Sequence, residues 1–150
     1  IDHFAGTAAD WLRAHAQAGP TLIHGEPRVD NVLFEDSNDG PTAWLIDWQF
    51  ADRGSPMFDT AYFLAGSLTP ADRKACEHDL IARHQAAIAA VDPAYTLERA
   101  QANYANALPL TLFTTVGSIL AVPSTPATDQ LLKTLLTRNV DALADWGMLG

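Results

Sequence analysis

Five turn-forming residues in a row, Ser37-Asn38-Asp39-Gly40-Pro41, separate two apolar runs and oblige the chain to reverse on itself. Val32-Leu33-Phe34 leads into that turn and Ala43 to Asp47 returns from it, so residues 32–47 are predicted to form a β-hairpin. Thr21 to Ile23 reads as a further short strand, and a polar loop from His24 to Asn31 joins it to the hairpin. Around this β segment the periodicity is helical. Phe4, Ala8, Trp11, Leu12 and His15 share one helical face, which Gly19-Pro20 terminates. Everything after about residue 56 reads as helix. Thr69-Pro70-Ala71-Asp72 supplies an N-cap, a first-turn proline and an acidic third residue. Cys76, Leu80, Ile81, Ala87, Ile88 and Val91 are that helix's expected buried stripe, and Asp92-Pro93 ends it. The next helix starts near Thr96, and Pro109 is expected to kink or divide it. Thr125-Pro126 opens the last one, with Leu131, Leu132, Leu135, Leu136, Val140 and Leu143 as its stripe and Gly147 as its stop. The fold class is therefore mainly α with a small β-hairpin, an α+β arrangement with the polar loop on a helical scaffold.

At 150 residues the chain is the length of one domain, and 48% hydrophobic content excludes a disordered one. Nine Lys and Arg against eighteen Asp and Glu give a formal charge of −9, which excludes a nucleic-acid surface. The acidic balance reads first as simple solubility and second as tolerance of a cationic small molecule. With no apolar run long enough to span a bilayer and no signal pattern, no membrane partner is expected. Cys76 is the only cysteine, so there is no disulfide framework and the expected location is cytoplasmic. Residue 1 is Ile rather than Met, and the chain is expected to be a piece of a longer protein.

Two clusters carry the candidate chemistry: His24-Gly25-Glu26-Pro27-Arg28-Val29-Asp30-Asn31, and Leu45-Ile46-Asp47-Trp48-Gln49. Phosphoryl transfer needs a carboxylate for the acceptor's proton, hard oxygen ligands for magnesium and a cation for the transferring group. Glu26, the pair Asn31 and Asp47, and Arg28 are candidates for those roles in that order.

Residues 24–31 resemble the H-G-D-x-x-x-x-N catalytic loop of the aminoglycoside phosphotransferase and choline kinase-like group, and are similar to the protein-kinase loop H-R-D-L-K-P-E-N. Ile46-Asp47-Trp48-Gln49 resembles that group's I-D-W/F-E/Q element, and residues 54–64 its G-x-P-x-x-D-x-A-Y-x-L segment. The ordered resemblance spans His24 to Leu64. It implies that residues 1–150 are the C-terminal catalytic lobe of a protein-kinase-like fold. The implied activity is ATP- or GTP-dependent O-phosphorylation of a small-molecule hydroxyl, such as that of an aminoglycoside-, choline- or sugar-like alcohol, with Mg²⁺. It implies Glu26 as catalytic base, Arg28 at a phosphate contact, Asn31 and Asp47 as metal and nucleotide ligands, and His24 and Asp59 as supports of the loop. The partners it implies are a nucleotide and an alcohol, with oligomeric state open. Two features depart from the pattern: Glu26 stands where the group has Asp, and no nucleotide-binding lobe precedes His24. The isolated chain is accordingly expected to be inactive.

Other readings stand beside these. The chain could be a catalytically impaired kinase-like module that binds a ligand or partner. Arg28 either contacts phosphate or pairs with Asp30, Asp47 or Asp59. His24 is a structural histidine before it is a base, and Asp59 braces before it reacts. Cys76, His78 and His84 are not at helical metal-ligand spacing and read as an ordinary helix face. Trp44 reads as core of the hairpin, and Trp48 as core packing before it is a lining residue of a nucleotide cleft.

Overall fold

The computed structural model describes residues 2–38 and 40–149, with side chains from residue 7 onward. The Phe4 side chain and Asp39 of the expected turn lie outside the described residues. Helix α1 (Asp2–Gln17) stops where Gly19 takes a left-handed conformation, φ 86°. Strand β1 (Thr21–Ile23) leads into the loop, and β2 (Val32–Ser37) and β3 (Gly40–Leu45) form the hairpin. Their register pairs Val32 with Leu45, Leu33 with Trp44 and Ser37 with Gly40. The hairpin is thus shifted from its expected bounds: β2 runs three residues beyond Phe34, while β3 ends two residues before Asp47.

One strand escaped the sequence. Strand β4 (Asp52–Gly54) pairs antiparallel with β1, Thr21 opposite Gly54 and Ile23 opposite Asp52. Its three residues carry no apolar alternation, so only pairing after collapse reveals it. Helices α2 (Phe58–Ser67), α3 (Pro70–Ala89), α4 (Leu97–Ala121) and α5 (Pro126–Asp145) complete the chain. The expected caps are in place: Thr69, Thr96 and Thr125 each accept a hydrogen bond from the third backbone N–H of the following helix. The mainly α architecture with a small antiparallel hairpin is the expected class.

The core gathers around α4, which packs on all four other helices. Tyr104, Ala107 and Leu108 of α4 are buried with Ala61, Leu64 and Ala65 of α2, Ile81 of α3, and Ala142 and Leu143 of α5. Pro109 does not divide α4. The helix runs unbroken to Ala121 with Pro109 buried inside it, held by neighbours on either side. This continuity also corrects the expectation about apolar runs, because unbroken α4 is long and apolar enough to cross a membrane by length and composition. Here it serves as the central packing helix.

The stripe of α3 differs from expectation as well. Ile81 is buried, but Val91 is 86% exposed, and the other buried positions are Arg73 and Glu77. In α5, Leu143 is buried as expected, yet Leu131 and Val140 are exposed while Asn139 and Ala142 are buried. The polar core residues pair with one another. Arg73 bonds Glu77 at 2.5 Å and also Asp145, and Tyr104 Oη donates to Glu77.

Candidate functional site

The loop after β1 is held from below by one carboxylate. Asp59, in the first turn of α2, accepts the His24 backbone N–H at 2.6 Å and that of Gly25 at 3.0 Å. Gly25 sits at φ +87°, and a Cβ there would run onto the carbonyl of Phe50. The His24 ring is buried and both its nitrogens are engaged. Nε2 bonds the Ile46 carbonyl at 2.8 Å, and a carbonyl can only accept, so Nε2 carries the proton. Nδ1 is then the acceptor for the Glu26 N–H at 3.3 Å. Asn31 Nδ2 closes the loop on itself by donating to the Glu26 carbonyl at 2.9 Å, and Ile46 N, just past the hairpin, donates to the Asn31 carbonyl at 3.0 Å and laces the two together.

This lacing places Asp47 immediately after the anchored Ile46. Asp47 is the only non-glycine among the described residues with positive φ, at φ 62° and ψ 61°. A left-handed aspartate stores strain, a feature concentrated at functional positions. Its side chain is exposed and accepts from Gln49 Nε2 at 3.4 Å. Glu26 and Arg28 face each other, with Nε 3.8 Å from the carboxylate. Among the partners considered for Arg28 from sequence, none is the observed one; the Arg28 N–H bonds the Glu26 carbonyl and folds the two side chains together. Glu26 also lies near Tyr62, whose hydroxyl is pushed up to about 12, by burial first and then by the Glu26 charge.

Beside the loop lies a cleft of about 500 Å³. One face of the hairpin, Val32, Phe34, Ala43 and Leu45, forms one wall, as the two-residue alternation of the paired strands requires. Phe63 and Leu64 of α2 and Leu80 of α3 form the other, and Pro27 and Asp59 connect the cleft to the loop. Its hydrogen-bonding pair is Thr60 and His84, joined at 2.7 Å between Oγ1 and Nδ1. Burial lowers the His84 imidazole from its ordinary value against the opposing pull of Asp59, so the ring is neutral near pH 7. Sequence reasoning weighed His84 only as a metal ligand, and nothing local connects it to Thr60 across 24 residues. The other two members of that trio are separate: His78 packs on Trp146 and Cys76 is half-buried.

The opposite hairpin face corrects another expectation. Trp44 is 56% exposed, its indole N–H bonded to Glu35, and Trp48 is also exposed, tilted 4.8 Å from the His24 ring. Neither is core.

A family model described as "Uncharacterized oxidoreductase dhs-27" matches residues 15–143. Two curated proteins are similar over shorter stretches. The "Probable acyl-CoA dehydrogenase IBR3" of Arabidopsis thaliana is 41% identical over 59 residues, covering 35% of this chain and 7% of that protein. The "Acyl-CoA dehydrogenase family member 10" of Mus musculus is 37% identical over 54 residues, covering 35% of this chain and 5% of that protein. The chain therefore spans less than a tenth of the length of these relatives. No solved structure matches.

These findings correct the resemblance to the aminoglycoside phosphotransferase and choline kinase-like group. With it go the kinase and transferase activity, the ATP or GTP and Mg²⁺ cofactors, and the impaired-kinase alternative, because the matching names are those of oxidoreductases. The resemblance rested on short elements within residues 24–64, whereas the family model extends over most of the helical region as well. Among the described residues, no group of three His, Cys, Asp or Glu side chains could hold a metal ion. Matched over residues 15–143, the chain belongs to the family described as uncharacterized oxidoreductase dhs-27.

Proposed function

We propose that this chain is the ligand-holding unit of an oxidoreductase, with an acyl group as its ligand. The observation that carries this reading is the apolar cleft of about 500 Å³ opening beside a braced polar loop. That volume falls in the range of small-molecule sites, which are mostly apolar with a few placed polar groups. An alkyl chain would lie between the hairpin face and Phe63, Leu64 and Leu80. With the Thr60 hydroxyl donating to His84 Nδ1, Nε2–H is left as a donor for the carbonyl of the ligand. Pro27 and Asp59 bring the braced loop to the edge of the cleft, where the head group of the ligand would lie. The acyl-CoA dehydrogenase names of the relatives support an acyl ligand.

The redox group belongs, in this reading, to another part of the protein. In the doubly wound dinucleotide-binding fold, a flavin or nicotinamide dinucleotide is held through its pyrophosphate, where a glycine-rich turn joins a parallel strand to a helix. The described sheets here are two antiparallel pairs. At the junction of β4 and α2, the space beside Gly54 is filled by His15 and Ile23, and the space beside Gly25 by Phe50. These glycines accommodate the protein's own atoms, so the residues present do not fit such a cofactor, and no step is assigned through one. A cytoplasmic location accords with the single free Cys76, and the lack of a nucleic-acid partner with the net charge of −9.

The test is calorimetric titration of the chain with acyl thioesters of N-acetylcysteamine, from butanoyl to dodecanoyl. Saturable binding is expected, weakened about tenfold or more by Leu80→Arg, which puts a charge in the cleft wall. Absence of saturation across the whole chain-length series would overturn the reading.

A further inference from the structure

A second and smaller cavity, about 160 Å³, lies between the loop, the end of α2 and helix α5. It is too small for a drug-sized molecule but suits a single charged group. Two guanidinium groups reach it, Arg28 from the loop and Arg138 from α5. Arg28 Nε is buried and ion-paired with Glu26 at 3.8 Å, too far for a hydrogen bond. Arg138 is positioned by one bond, Nη1 to the Gly66 carbonyl at 2.7 Å, which leaves the rest of its donor fork open. Ser67 accepts the Val29 N–H through Oγ and so keeps its hydroxyl proton to donate. Asp30 is the one acid on the wall, and Leu131 and Leu135 close the apolar side.

With Glu26 facing Arg28 and Asp30 on the wall, the two arginines bring this cavity to charge balance in a chain of net charge −9. Two guanidinium groups lining one small cavity are a donor set that recognises planar or tetrahedral oxyanions, because their forked N–H groups match the oxygens. We propose that this cavity is an oxyanion site, holding the carboxylate or phosphate group of a small ligand between Arg28 and Arg138. Ser67 supplies a further donor. The site is a binding site without chemistry of its own, and it is independent of the acyl reading, because none of its arginines lines the larger cleft.

Thermal unfolding of the full chain tests it, with sodium phosphate, sodium acetate and sodium chloride compared at matched, low ionic strength. Expected is a melting temperature that rises and saturates with an oxyanion but not with chloride. Saturation with phosphate alone assigns a phosphate-bearing ligand; saturation with acetate alone assigns a carboxylate; saturation with both assigns the shared oxyanion chemistry. Arg28→Gln and Arg138→Gln are each expected to raise the apparent Kd about tenfold or more. Arg138→Lys, which keeps a charge and a donor for Gly66, serves where Arg138→Gln does not fold, and there a smaller loss is expected. No difference between the oxyanions and chloride would overturn the proposal, as would saturation unchanged in Arg28→Gln.

Discussion

Gly25 carries more constraint than its size suggests. It must adopt φ +87°, its N–H is one of the two that Asp59 accepts, and the place where a Cβ would stand is taken by Phe50. Gly40 shares only the first of these demands: φ +108° with open space around it. The pair therefore separates strain from collision. Gly25→Ala is expected to destabilise the chain by about 2 kcal/mol or more, from the left-handed backbone together with the displaced Phe50. Gly40→Ala should cost clearly less, as strain alone. Urea unfolding of both variants gives the comparison. Equal losses would mean that the loop is not seated against Phe50, and the braced loop would lose its main geometric support.

At the scale of elements, the helix boundaries were legible because their signals are local. Threonine caps with proline at the first helical position, at Thr69 and Thr125, mark α3 and α5 within a residue. The hairpin was legible for the same reason, through its turn residues. What the sequence concealed is long-range. Strand β4 exists only because β1 lies beside it, and Thr60 meets His84, and Arg28 and Arg138 come to line one cavity, only after α2, α3 and α5 have packed. The buried face of α3 was misread because periodicity counts apolar side chains, whereas the core there is closed by a polar network. Arg73 is 1% exposed, fixed by Glu77 and Asp145. Its charge is held on despite burial, because the Glu77 and Asp145 carboxylates outweigh desolvation. Glu77→Ala leaves that buried guanidinium with Asp145 alone and strands the Tyr104 hydroxyl, with an expected cost of about 3 kcal/mol. Replacing both ends, Arg73→Met with Glu77→Leu, should recover much of that loss, since an apolar pair of similar volume avoids desolvation. Chemical denaturation of the single and double variants decides the matter. A double variant no more stable than Glu77→Ala would show that the network is needed intact.

Across the whole molecule, the titrating groups that stand out sit on different elements but act in the same direction with pH. Burial lowers the imidazoles of His15 and His84, and the nearby Asp52 and Asp59 for the first, and Asp59 for the second, only partly offset it. A lowered histidine is neutral in the folded chain while the unfolded chain still takes up a proton. Stability from both is therefore full above the ordinary value of 6.5 and is lost as pH falls from there toward the folded values. Asp145 enters later. Desolvation raises its carboxyl, but the hydrogen bonds and charges of Lys74 and Arg73 together outweigh that and hold it below its ordinary value. Its contribution is present above the unfolded value of 3.8 and disappears as pH falls through the lower folded one. The acid side of the stability profile should thus descend in two stages, one beginning near pH 6.5 and one below about pH 4. Replacing both histidines, His15→Gln with His84→Gln, should flatten the first stage and leave the second, whereas Asp145→Asn should do the reverse. Urea midpoints measured from pH 8 down to pH 3 give both stages in one series. A first stage that survives the double histidine variant would place the proton uptake on other groups and remove the basis for a neutral His84 in the cleft.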